Sequence, residues 1–125
     1  IPFPANREEA KVILDEFKPV FNDRSIRKIG QNIKYDISIL KQYDIEVSGE
    51  IFDTMIAHYL MQPDLRHNLD FLSEQYLGYK PISIEELIGK KGANQGSMRN
   101  VSFEKITDYA GEDADLTFQL KEIFE

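Results

Sequence analysis

The chain contains no cysteine, no tryptophan and only two histidines, His58 and His67. Without cysteine there can be no disulfide scaffold, no zinc–thiolate site and no thiol nucleophile. That lack fits a reducing compartment, and the cytoplasm is the expected location. Two histidines are too few for a histidine-rich metal site, and nothing resembles a nucleophile elbow that would serve a serine–histidine triad. No run approaches the roughly 18 apolar residues of a membrane span, so no membrane partner is expected. The opening Ile1-Pro2-Phe3-Pro4 is no signal peptide. Basic residues are in deficit, 15 Lys plus Arg against 22 Asp plus Glu for a net charge of −7, which argues against a histone-like or polybasic protein. Nucleic acid remains open as an enzyme's substrate, because carboxylates that hold metal ions add negative charge. The first residue is apolar and is not an initiator Met, which suggests a piece of a longer protein.

With 125 residues, residues 1–125 are expected to form one domain. Asn6 stands three residues before Glu9, the spacing of a capping box, and Ala10, Ile13, Leu14 and Phe17 share a helical face that Pro19 should end. Ile26 to Ile29 alternates as a short strand closed by Gly30. Helical spacing returns from Ile33 to about Tyr43. Glu50 to Phe52 reads as a second strand, after which Asp53 caps a helix that Pro63 stops. Asn68 caps the next helix, with Leu69, Leu72 and Tyr76 inward and Gly78 at its C-terminus. Ser83 to Ile88 is a short helix. Gly89 to Asn100 is a glycine-containing loop with Lys90, Lys91 and Arg99 and no acid, and a long helix starts near Ser102. The sum is mostly helix with two short strands.

Two carboxylates stand where apolar residues belong. On the last helix Ile106, Tyr109, Ala110, Leu116, Thr117, Leu120 and Phe124 lie within about 60° of one direction, and Asp113 is at the centre of that stripe. Glu112 and Asp115 point away and read as solvated surface. After Gly30 the pattern repeats: Asn32, Ile33, Ile39, Leu40 and Tyr43 surround Asp36. An unpaired buried carboxylate costs several kcal/mol or protonates. One reading is a buried ion pair or a cap on a neighbouring helix, and Asn32 can itself be no more than an N-cap. The other is a site in which the aspartates face each other across cations. Hard oxygen donors of this kind suit Mg²⁺ or Mn²⁺, and two such ions can activate a water for phosphodiester hydrolysis. Tyr109, one turn before Asp113, could then hold the attacking water.

These residues also carry a resemblance. Gly30-Gln31-Asn32-Ile33-Lys34-Tyr35-Asp36 resembles the second exonuclease motif of the 3′–5′ proofreading domain of bacterial DNA polymerase I, and Tyr109-Ala110-Gly111-Glu112-Asp113 resembles its third, Tyr-x-x-x-Asp. Phe52 to Met55, His67 to Leu69 and Ile84 to Lys90 are similar to that family in order and spacing, so the resemblance runs from about Arg24 onward. It implies an RNase H-like α/β fold, here truncated, and a DEDD-type exonuclease that trims single-stranded DNA 3′ ends with two divalent ions. The same resemblance implies a polymerase domain in the same chain. By position Asp113 would bind the metal that carries the nucleophilic water, Tyr109 would orient that water, Asp36 would serve the second metal, and Asn32 would be a motif residue near the site. The family's first motif, Asp-x-Glu on an early strand, is missing, and Ile1 to Asn22 looks like the stretch downstream of the family's first β-hairpins. These residues are therefore expected to be a partial exonuclease domain, catalytically silent and weak in metal binding by themselves. An open sheet edge could make such a piece dimerise.

The remaining residues have plainer readings. Asp53 is expected to be a helix cap, His67 structural, and His58 surface or packing. Tyr76, Tyr79 and Phe71 read as core. Lys90, Lys91 and Arg99 in the loop, with Lys34 beside Asp36, are the candidates for DNA phosphates. Two further functions stay open: an RNA-trimming exonuclease of the RNase D type, which shares the motifs, and a non-catalytic DNA-binding or structural module.

Overall fold

The computed structural model describes residues 6–125, so the opening Ile1 to Pro4 lies outside the described residues. Helix α1 spans Arg7–Asn22, strand β1 Lys28–Gly30, helix α2 Ile33–Lys41 and strand β2 Ile51–Asp53. Helix α3 comes next, over Thr54–Met61. Helix α4, Leu69–Leu72, continues as a π-helical turn over Ser73–Leu77; α5 is Ile84–Ile88 and α6 Phe103–Phe124. Among the described residues the fold is mostly helical with a two-stranded parallel sheet, the balance expected from the residues. In its register Lys28 stands opposite Ile51 and Gly30 opposite Asp53. No described helix is long and apolar enough to cross a membrane.

Local chemistry sets most of these boundaries. The side chains of Asn6, Asp53, Ser83 and Ser102 each accept from backbone N–H groups in the first turn of α1, α3, α5 and α6. Gly78 ends the π turn in the left-handed conformation, φ +64°, which glycine adopts without steric cost. Asn68 also stands at an N-cap position, but its side chain makes no capping bond. Pro19 does not end α1. The hydrogen bond a proline removes falls here in the last turn, and Ser48 N–H donates to the Phe21 carbonyl (2.9 Å), holding that turn in place.

The buried apolar set is small: Ala10, Ile45, Leu72, Leu116 and Leu120. Helix α6 packs on β1, α3, α4 and the π turn. Its stripe is covered unevenly, for Leu116, Thr117 and Leu120 are buried while Ala110 is exposed. The reason is the short sheet, which reaches only the C-terminal half of the helix. Polar residues make up as much of the core as apolar ones. Lys28, Thr54, His58, Ser73 and Thr117 are all buried.

His58 is packing rather than surface, at 0 % exposure. Its Nδ1 lies 2.7 Å from His67 Nδ1 and its Nε2 lies 3.1 Å from Tyr76 Oη. Phe124 packs edge-on against Tyr76. Two facing Nδ1 atoms can share one proton, so the pair does not tolerate a charge on both rings. Burial, then the charge of His67, holds His58 below the usual histidine pKa. A depressed histidine binds protons less readily folded than unfolded, so its contribution is intact above about pH 6.5 and is lost as the pH falls toward the folded value, by about 1 kcal/mol per pH unit. His58→Gln should therefore lose less stability than the parent chain between pH 7 and 5.5 in urea unfolding. An identical pH dependence for the two would count against this reading of the pair.

Candidate active site

A cavity of about 550 Å³ opens at the C-terminal end of β1. Gly30 and Gln31 form one wall, Asp36 enters from α2, Leu69 from the start of α4, and Asp113 and Thr117 from α6. The sequence separates the two aspartates widely; the β1 crossover and the packing of α6 on β1 bring them to one space. Gly30 is required by close approach, because a Cβ there would meet the Ile33 side chain at 2.8–3.0 Å. Helix α2 starts immediately after a tight turn in which Asn32 is left-handed (φ 57°, ψ 46°), a conformation asparagine tolerates better than most residues. Asn32 stands at the N-cap position without making a capping bond, so the cap reading of its side chain is corrected. The turn is held instead by Asp53, whose Oδ1 and Oδ2 accept from Asn32 N–H and Ile33 N–H, each at 3.0 Å.

Neither aspartate takes part in a described ion pair. Asp113 is half-buried. Burial, with the charges of Asp70 and Glu112 behind it, pushes its carboxyl up to about 6. Asp36 is exposed, not core-facing, because the apolar side chains beside it border an open cavity between α1, β1 and α2 instead of a filled core. Partial burial still raises its carboxyl pKa, its own backbone N–H pulls it back, and the charge of Asp53 raises it again. Tyr109 is half-buried. Burial, then Asp113, Asp70 and Glu112, push its phenol above the usual range, so its hydroxyl stays protonated well past neutral pH. Both carboxyls are thus shifted toward protonation, each by burial and by acids other than its counterpart across the cavity.

Several neighbours escaped the sequence reading. Glu112 is not solvated surface: it accepts from Tyr79 Oη and from Ile82 N–H (2.8 Å), tying α6 to the segment before α5. Tyr79 is correspondingly exposed rather than core. Asp70, at the start of α4, is raised by burial and by the charges of Glu74 and Glu112, and it joins Glu112 in an acidic surround for Asp113. Gln31 donates to the His67 carbonyl (2.6 Å) and accepts from Thr54 Oγ1, locking the cavity wall to α3 and to the start of α4. Its place beside Asn32 in the second motif was the one available signal. Lys34, Lys90, Lys91 and Arg99 are exposed, and none of them lines the cavity. The loop that carries Lys90, Lys91 and Arg99, residues 89–100, is folded back on α5 by Gly96 N–H donating to the Ile88 carbonyl (2.7 Å). The chain's Asp-x-Glu triplet, Asp44-Ile45-Glu46, comes after α2 in a turn with Ile45 buried, so it is not a strand motif.

Among the described residues no group of three or more His, Cys, Asp or Glu is arranged to hold a metal ion. The donor chemistry nonetheless fits a hard cation. Mg²⁺ takes one or two carboxylates and completes its shell with water and substrate phosphate oxygens. Asp36 and Asp113 are the two carboxylates lining this cavity that could hold such an ion.

Comparisons with known proteins identify the family of the chain. The family model described as 3′–5′ exonuclease matches residues 1–125. The chain is 40% identical over 116 residues to the DNA polymerase I of Borreliella burgdorferi, covering 93% of this chain and 12% of that protein. It is 37% identical over 111 residues to the DNA polymerase I of Pseudomonas aeruginosa, covering 86% and 12%. With the DNA polymerase I of Rhizobium leguminosarum it shares 38% identity over 108 residues, covering 86% and 10%. The chain thus spans about a tenth of the length of these relatives.

Proposed function

Since the chain belongs to the 3′–5′ exonuclease family, we propose that residues 1–125 are a partial proofreading exonuclease domain of a DNA polymerase I, working in the cytoplasm on single-stranded DNA 3′ ends beside a polymerase domain of the same polypeptide. The observation that carries this reading is the pair of aspartates, unpaired by any described cation, that face one cavity at the C-terminal end of a parallel strand. That is where open α/β sheets bind their ligands.

In this reading Asp36 and Asp113 are the metal-holding residues. Divalent ions bound there would neutralise the phosphodiester and make a bound water nucleophilic at neutral pH. The chain's own residues do the rest. Tyr109, protonated at neutral pH, hydrogen-bonds the attacking water and is not its base. Thr117 Oγ1 donates to the Asp113 carbonyl (2.7 Å) and steadies the helix turn that presents Asp113. Leu69 and Phe118 give the cavity apolar walls against which a terminal base can rest. Asn32 and Lys34 on the α2 side, and Lys90, Lys91 and Arg99 on the loop, are the proposed contacts to the strand. The loop cations attract phosphate without reading sequence.

The donor count implies that these residues alone bind ions poorly and trim nothing. Exposed Ile26 and Ile51 beside unpaired strand edges support self-association of the isolated piece. The test compares this chain with a polypeptide extended upstream through the Asp-x-Glu strand. Both receive 3′-labelled single-stranded DNA, and in parallel RNA, with Mg²⁺ or Mn²⁺. Stepwise trimming of DNA by the longer polypeptide alone is the expected result. Preference for RNA would move the assignment to the RNase D type, and no trimming by either would leave a scaffold.

A further inference from the structure

One carboxylate closes two helices. Asp53, at the end of β2, accepts from Met55 N–H (2.9 Å) and, more weakly, Ile56 N–H (3.5 Å) as the cap of α3. The same carboxylate accepts from Asn32 N–H and Ile33 N–H at the start of α2. The register explains how: Asp53 pairs with Gly30, so in a parallel sheet both helices leave from the same edge, side by side. Helix α2 has no capping side chain of its own, since Asn32 spends its backbone on the left-handed turn that aims these N–H groups at Asp53. Asp36 lies in the first turn of α2, directly above that junction. The junction is fixed from the other side as well: Thr54, fully buried, gives its one hydroxyl proton to Gln31, the residue that follows Gly30.

We infer that Asp53 is a positioning residue of this site, acting through the N-terminus of α2 to set where the Asp36 carboxylate stands relative to Asp113. The inference rests on the proposed exonuclease reading and goes beyond it, because the sequence accounts for Asp53 as the cap of α3 alone. A carboxylate has two oxygens and no hydrogen, and all four donors need an acceptor. Asparagine in its place offers one oxygen and sets an NH₂ group against an N–H. Oδ1 serves Asn32, Met55 and Ile56 while Oδ2 serves Ile33 alone, so an amide that keeps its oxygen on the three-donor side sets its NH₂ against Ile33 N–H and opens the α2 side.

The test uses Asp53→Asn in two settings, with Ser83→Ala as a control that removes the α5 cap, which lies outside the site. In the upstream-extended polypeptide, Asp53→Asn should raise the Mg²⁺ concentration for half-maximal DNA trimming about tenfold, the usual effect of losing a group that orients a metal ligand. KM for DNA should stay unchanged. Ser83→Ala should lower thermal stability and leave the Mg²⁺ requirement where it was. In the 125-residue chain, without metal or DNA, Asp53→Asn should shift the backbone amide resonances of Asn32 and Ile33 and carry the Asp36 amide with them. An unchanged Mg²⁺ requirement in an active enzyme overturns the inference. So does an unmoved Asp36 resonance. If even the parent polypeptide fails to trim, the exonuclease reading falls, and the resonance experiment decides the positioning role by itself.

Discussion

Replacing Asp113 by asparagine is expected to stabilise the 125-residue chain at pH 7.5 and, in the upstream-extended polypeptide, to lower trimming by about a thousandfold or more. Both halves have one cause. Asp113 is half-buried, unpaired among the described ion pairs and faced by Asp70 and Glu112, which together push its carboxyl up to about 6. A carboxyl whose pKa is raised on folding binds protons better folded than unfolded. Its penalty is therefore absent below about pH 4, grows as the pH rises, and is complete above about pH 6. The displacement would amount to about 3 kcal/mol for a fully enclosed group; with solvent screening at a partly open site, about 1–2 kcal/mol is expected. Asparagine removes that penalty and keeps the shape, but it cannot carry the charge that a divalent ion requires. Urea unfolding at pH 4 and 7.5 checks the first half. The stability gain should be near zero at pH 4 and full at pH 7.5, opposite in sign to the histidine effect at His58, so the two can be separated variant by variant. Stabilisation without loss of trimming would make Asp113 a structural burden rather than a ligand. Destabilisation at pH 7.5 would mean that a satisfied partner had been broken, the outcome a structural ion pair predicts.

Lys28→Met should destabilise the chain by about 3 kcal/mol, a large share of the stability of a small domain. Lys28 is 8 % exposed. Its ammonium donates to three backbone carbonyls, those of Asp23 (2.5 Å), Ile26 (2.8 Å) and Ser48 (2.8 Å). An ammonium has three donors and no acceptor, so its capacity is filled without any carboxylate. The three carbonyls belong to the turn between α1 and β1 and to the segment entering β2, so one side chain closes the loops at the N-terminal end of both strands. Methionine matches the length and fits the adjoining apolar cavity, but it takes the donor from the Ile26 and Ser48 carbonyls and leaves that of Asp23 only the long bond from Ile26 N–H (3.3 Å). For contrast, Lys11 pairs with Asp15 at 3.2 Å with both side chains more than 40 % exposed. Lys11→Ala should change stability by less than about 0.5 kcal/mol. Chemical denaturation of both variants under the same conditions decides the matter, and comparable small effects would show that water re-solvates the three carbonyls without loss.

What could be read from the residues were the interactions that close within a turn or two of chain. Helical spacing, the caps at Asn6 and Asp53, the helix starts at Ser83 and Ser102, the C-terminal Gly78 and the anomaly of Asp113 on an apolar stripe are all of that kind. The departures share a physical cause. Pro19 continues α1 because Ser48, far along the chain, holds its last turn; Glu112 is engaged because residues 79–82 fold under α6. Lys28 and His58 looked ordinary because a lone lysine in a strand and a lone histidine in a helix carry no local sign of three carbonyls or of a second imidazole. Periodicity could establish that Asp36 and Asp113 each sit among apolar neighbours. It could not show that they share a cavity, nor that Asp36 stands exposed at its mouth, because both facts depend on the β1–β2 register and on the packing of α6 across β1. The sequence by itself thus determined the helices, some of their ends and the two carboxylates that stand among apolar neighbours. Only the tertiary structure decided which of them meet, since the energy of two like charges is set by their separation and enclosure, not by their place in the chain.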